Sequence, residues 1–215
     1  MNLSGIFYYL GKINLLIVFF SIINLLYCFY FDFKINLEIY FYTLIISSTY
    51  YLITFRIKFK KNFKTNNLIL FVILGWTILP LIMSLPFWFG GYSSFLNSYF
   101  ETVSGFTSFG ASIFSNKINI LDSPILLWRS STQVVGSIFF VMSIILVFGN
   151  RAINIYPLKF ITKKKDTVYF SINFENVFNN TVYAYVIIFL ISIFFLNLTD
   201  LRMFDKFNLS LTIIS

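Results

Sequence analysis

Histidine is absent from this chain, so a His-rich metal site, a Ser-His-Asp triad and a histidine proton relay are all excluded. Cysteine occurs once, as Cys28. A lone thiol makes no internal disulfide, and inside an apolar run it carries no information about redox compartment. Acidic residues number eight, thinly spread, which leaves little material for carboxylate chemistry, and no enzymatic activity is expected. Charge of either sign is scarce: Asp, Glu, Lys and Arg make up 11% of 215 residues, against about 25% in soluble domains. So little charge cannot clothe a water-facing surface of this size.

What fills the space is apolar. Hydrophobic residues reach 58%, in runs long enough to cross a hydrocarbon core of roughly 30 Å, which takes about 20 helical residues. The sequence therefore predicts an all-α integral membrane protein, with the lipid bilayer as its first partner. The 30 Phe and 14 Tyr suit lipid contact and carry no function; Trp and Tyr near helix ends serve as interface anchors. The net charge of +8 would suggest nucleic acid on a soluble chain, but the basic residues lie between apolar runs, where the positive-inside rule accounts for them. The apolar stretch from Ile13 to Phe31 exceeds a signal-peptide core and has no small-residue cleavage site after it, so it reads as a retained span.

About five spanning helices are expected: Ile13 to Phe31, Ile39 to Phe55, Leu68 to Phe87 with Pro80 and Pro86 near its far end, Pro124 to Phe148, and Val177 to Leu196. An amphipathic piece from Phe204 to Ser215 follows. Two basic stretches separate them, one with Arg56, Lys58, Lys60, Lys61 and Lys64, the other with Arg151, Lys159, Lys163, Lys164 and Lys165. Together they hold ten of the 16 Lys and Arg residues, so both are expected in the cytoplasm, with the N-terminus, of a multi-pass protein of the cell inner membrane.

Both ends of the segment from Trp88 to Ser123 then lie outside. This segment is 36 residues long. Its middle, Phe95 to Phe106, suits a short helix of roughly 18 Å, which reaches about halfway through a bilayer. Gly105-Phe106-Thr107-Ser108-Phe109-Gly110-Ala111-Ser112 comes next, rich in small and hydroxyl residues. A half-helix followed by such a loop has the layout of a re-entrant pore loop, since irregular backbone at membrane depth is tolerated only against protein or a water-filled pore.

The stretch from Phe100 to Ser112 resembles the first pore loop of the TrkH/KtrB family of potassium transporters, whose pattern is close to S-G-F-T-T-T-G-A. The likeness continues through Leu127-Trp128-Arg129-Ser130 and Thr132-Gln133 to Gly136, beside the family's F-W-R-x-x-x-Q-W-x-G-G. The resemblance is to a TrkH-type member, over its N-terminal portion only. It implies potassium, the transported ion rather than a cofactor, held by carbonyls and hydroxyls at Thr107, Ser108, Phe109 and Gly110. It implies support from Ser104, Gly105, Glu101 and Arg129. A potassium filter replaces the ion's water with backbone carbonyls, and glycine reaches the dihedrals this needs without a Cβ penalty. Glu101 and Arg129 are charges at membrane depth, costly unless paired, and are expected to form an ion pair bracing the loop.

The family builds one pore from four helix–loop–helix repeats. On that plan residues 1–66 form an N-terminal hairpin and basic loop, 67–150 the first repeat, and 151–215 a cytoplasmic loop and an incomplete second repeat. Phe204 to Ser215 looks like the start of a second pore helix. The resemblance further implies a homodimer, a cytosolic nucleotide-binding regulatory subunit and, since one repeat cannot enclose a four-sided filter, a separate chain supplying the remaining repeats. The rival expectation is a fragment or accessory membrane subunit that transports nothing by itself. The sequence departs from the family at Phe109, Val134 and Ser137. Phe109 either turns its ring away from the pore or marks decay of the filter.

Overall fold

The computed structural model describes residues 3–57, 65–114, 121–152 and 170–215. Among them are eight α-helices: α1 Leu3–Tyr30, α2 Lys34–Phe55, α3 Thr65–Met83, α4 Leu85–Phe89, α5 Phe95–Phe106, α6 Ser123–Ala152, α7 Phe170–Leu196 and α8 Met203–Ile213. The described residues contain no strand. The chain is an all-α membrane protein. Four helical stretches are long and apolar enough to cross a bilayer: Leu3–Tyr30, Asn66–Phe89, Ser123–Val147 and Phe174–Leu196. Of the basic stretches, Lys58, Lys60, Lys61, Lys64, Lys159, Lys163, Lys164 and Lys165 lie outside the described residues.

The expected second span, α2, is 22 residues long but is not among the four. Thr43, Ser47, Ser48, Thr49 and Thr54 dilute it. Its polar side is nevertheless covered, because α1 and α2 form the most extensive helix pair of the fold. Asn14 donates from Nδ2 to the Ser47 carbonyl at 2.7 Å. Gly11 lets the helices close: a Cβ there would stand 2.0 Å from Thr54 Oγ1. Small residues and side-chain amides hold helices together in lipid, where the hydrophobic effect offers nothing between them. The turn joining the pair places Asp32 at φ 59° and returns the Phe33 N–H to the Cys28 carbonyl at 3.0 Å, a Schellman end with Asp in the left-handed position.

Several boundaries differ from expectation, most at the starts of α1 and α7. α1 begins at Leu3 rather than Ile13, since Lys12 is ion-paired to Glu175 of α7 and Gly11 is packed, so neither residue ends the helix. α7 begins at Phe170 rather than Val177. The prolines act where expected. Pro80 lies inside α3, and Pro86, with no N–H to offer the Ile82 carbonyl, accompanies the break at Ser84 between α3 and α4.

α6 is the hub, touching α1, α3, α5, α7 and α8. Trp128, fully buried, donates from Nε1 to the Met83 carbonyl at 2.9 Å, and Tyr40 donates to the Pro124 carbonyl at 2.9 Å. Both fasten the start of α6 to its neighbours. An aromatic chain runs from the end of α5 through the core: Phe106 to Phe139 with centroids 5.9 Å apart, Phe139 to Phe71 at 5.8 Å, Phe71 to Phe174 at 5.9 Å. It joins the short helix to α3, α6 and α7.

Candidate functional site

The short helix α5 covers Phe95–Phe106, the stretch the sequence marks for it. Small residues build the contact between α5 and α6. Gly105 is one: a Cβ there would meet Thr132 Oγ1 at 2.5 Å. Gly136 of α6 is the other: a Cβ there would stand 1.9 Å from the Phe106 carbonyl oxygen. The two helices therefore touch at backbone distance where α5 ends.

α5 stops by a Schellman closure. Ser108 N–H bonds to the Gly105 carbonyl and Phe109 N–H to the Ser104 carbonyl, each at 3.0 Å. Ser108 sits at φ 52°, a left-handed conformation that costs a non-glycine residue on the order of 1 kcal/mol. Beyond it the backbone is non-helical through Gly110, where φ is 80°. No atom lies within 4 Å of a Cβ built at Gly110, so glycine is required there by its dihedral and not by crowding. Phe109 is 78% exposed, its ring outside the packed core.

The segment after the loop is anchored by side chains of α5. Ser104 Oγ donates to the Ala111 carbonyl. Glu101, 1% exposed, accepts from Ser112 Oγ at 2.9 Å, from Ile113 N–H at 2.8 Å and from Arg129 Nε at 2.8 Å. One carboxylate thus ties the segment after the loop to α6. The ion pair is the one the membrane-depth argument calls for; the grip on Ser112 and Ile113 was not legible, because carboxylate-to-loop hydrogen bonds leave no periodic trace.

A second clasp joins the two ends of the same segment. The Tyr92 hydroxyl lies 2.9 Å from Asn36 Oδ1 and 2.9 Å from Asp122 Oδ2, and Asn36 Nδ2 donates to Asp122 at 3.3 Å. Burial, reinforced by the hydrogen bond to Asp122, pushes the Tyr92 phenol well above its usual range, so it stays a proton donor. Sequence reasoning missed this group, since its members come from three separate elements.

α8, the expected second short helix, covers Met203–Ile213 and ends beside the first. Ser108 Oγ approaches the Ser215 carbonyl at 3.4 Å. Ser130 of α6 donates to Asn208 Oδ1 and helps to hold α8 in place. Two short helices thus converge by their C-terminal ends on one irregular loop. Each end carries a partial negative charge, so the convergence favours a cation.

The chain is similar in sequence to a protein of an archaeon. An uncharacterized cation transporter of Methanocaldococcus jannaschii is 24% identical over 156 residues, 72% of this chain. The chain spans about a third of that relative's length, 32%. No family model matches the chain, and no solved structure matches it. Among the described residues no group of three or more His, Cys, Asp or Glu side chains is arranged to hold a metal ion.

Proposed function

We propose that this chain forms part of a transmembrane pathway for a monovalent cation, potassium by the resemblance of its loop to the TrkH/KtrB pattern, in a Trk-type uptake system. The observation that carries the proposal is the convergence of α5 and α8 on the stretch from Thr107 to Gly110. Dehydrating an ion requires several oxygens in one place. Carbonyls from this stretch, with the Thr107 and Ser108 hydroxyls, are the supply. Glu101, Arg129, Ser104 and Gly105 act behind it as supports, and the relative's description as a cation transporter agrees with this role.

One loop and one further short helix make two sides of a four-sided ring. The pathway is therefore completed by further repeats, from a longer or a separate chain, in a homodimer that works with a cytosolic nucleotide-binding subunit. The second reading, a fragment or accessory subunit without transport of its own, is favoured by the same count of sides. The gene neighbourhood separates the two: a downstream frame opening with another filter-like segment marks a split transporter.

The decisive experiment is growth of a potassium-uptake-deficient bacterium on low potassium, with sodium leak measured in parallel, in a full-length or complemented assembly. Gly110→Ser should reduce potassium selectivity more than Thr107→Ser, because it forces a side chain into the left-handed region at a cost of about 1–2 kcal/mol. A Gly110→Ser assembly that behaves like its parent, where the parent transports, removes the loop from the ion path.

Orientation has its own test. Cysteines placed at Lys61 and Lys164 should resist membrane-impermeant thiol reagents applied to intact cells, as cytoplasmic positions do. Ready labelling of both would invert the topology, and the pore-loop assignment would go with it.

A further inference from the structure

Gln133 belongs to the stretch of α6 that carries the family resemblance, and nothing in the site described above uses it. Its surroundings follow from the register of α6. The row that meets α5 is Arg129, paired with Glu101, Thr132, opposite Gly105, and Gly136, opposite the Phe106 carbonyl. The row that meets α8 is Ser130, bonded to Asn208 Oδ1, with Val134 and Ile138, which share a cavity wall with Leu211. At 3.6 residues per turn the two rows stand roughly 170° apart. One side between them carries Trp128, Ser131 and Val135, all fully buried. Gln133 lies on the other side, which looks between α5 and α8.

Gln133 Oε1 is enclosed by protein, and no described residue donates a hydrogen bond to it. A buried acceptor without a donor is costly, and in a bilayer side-chain amides act as glue between helices. A helical side chain leans over the turn before it, which brings the Gln133 carboxamide over Ser130. Asn208 already stands there. Its Oδ1 is taken by the Ser130 hydroxyl, which leaves Nδ2 to donate elsewhere. We propose that Asn208 Nδ2 donates to Gln133 Oε1, and that this amide pair positions the end of α8 beside the irregular loop. The terminal amide torsions of both residues are soft, so the pair forms by side-chain rotation. Ser215, about two turns beyond Asn208, meets Ser108 through its carbonyl, so a slip of α8 at Asn208 changes the gap at the loop. Only the description of that loop as an ion path rests on the proposed function.

The test uses the whole chain in detergent, with Cys28→Ala and spin labels on cysteines introduced at Phe109 and Ile213, both exposed. The label-to-label distance reports how α8 stands to the loop. It does not require transport, so the pair and the ion-path reading fail separately. Gln133→Met and Asn208→Leu keep bulk and remove the amide. Each should lower the melting temperature by about 2–4 °C and broaden the distance distribution, and the two together should do no more than one. The exchange Gln133→Asn with Asn208→Gln keeps both amides and their summed length, and should restore both readouts. Asn14→Leu cuts a bond between α1 and α2 instead and should lower the melting temperature without touching the distance. If Gln133→Met fails to fold, Gln133→Asn alone, one methylene short, should broaden the distance and Asn208→Gln should narrow it again. Additive losses, a distance unmoved by every Gln133 variant, or one moved equally by Asn14→Leu would overturn the pair.

Discussion

Gly136→Ala should loosen the end of α5 and abolish whatever depends on its loop. The added methyl would stand 1.9 Å from the Phe106 carbonyl oxygen, 2.5 Å from its carbon and 2.6 Å from its Cα. All three are backbone atoms, so no side chain can rotate away and the helix itself must move. Overpacking of this kind costs about 1–3 kcal/mol. Gly105→Ala is the control. Its methyl meets Thr132 Oγ1 at 2.5 Å, a side-chain atom that can turn at the loss of one hydrogen bond to the Arg129 carbonyl. Thermal unfolding of the detergent-solubilised protein should place Gly136→Ala well below Gly105→Ala. Trp76 packs edge-on to Phe106 at 5.2 Å, so its emission should shift in the Gly136 variant and hold in the other. Equal destabilisation of the two, with no shift, would mean that the close crossing of α5 and α6 does not set the loop.

The second large effect is expected at Glu101. Removing its carboxylate by Glu101→Ala strands Arg129, whose side chain is 19% exposed, and frees the Ser112 hydroxyl and the Ile113 N–H. Breaking one side of a buried pair costs about 3–5 kcal/mol. Glu101→Gln keeps an acceptor oxygen for the loop and should cost less. The pair Glu101→Gln with Arg129→Gln should recover part of the loss, because no charge is then left alone. Chemical denaturation in detergent across the four members of this cycle gives the coupling, expected at about 1–3 kcal/mol. Additive losses would show that Glu101 and Arg129 act separately and that the loop is held by something else.

Much of this arrangement was legible without coordinates, for identifiable reasons. Apolar runs long enough to span a bilayer mark four helical stretches wherever they pack, because lipid demands that length and that composition. Phe95 to Phe106 is bounded by Gly90 and Gly91 before it and by Gly110 after it, so its length is written locally. The pairing of Glu101 with Arg129 followed from the cost of a lone charge at depth, which holds for any packing.

Other features depend on how the helices cross. The apolar run is read from Ile13, and only with Glu175 and Thr54 standing opposite Lys12 and Gly11 does the first helix show its full course from Leu3. α2 is expected from sequence to be an ordinary span, and only its packing against α1 shows where its polar side goes. Gly136 is one glycine among nine in sequence, and only the meeting of α5 and α6 makes it the point of backbone contact. Ser112, Ile113 and the Asn36–Tyr92–Asp122 clasp are likewise partners by position in space. By itself the sequence determined that this is a helical membrane protein with a short helix and an irregular, glycine-bearing loop, since those properties follow from hydropathy and backbone preference within a few turns. The tertiary structure decided which helices touch at backbone distance, where α5 and α8 converge and which side of α6 looks between them. Those outcomes are set by side-chain shape between residues far apart in the chain, which no local pattern encodes.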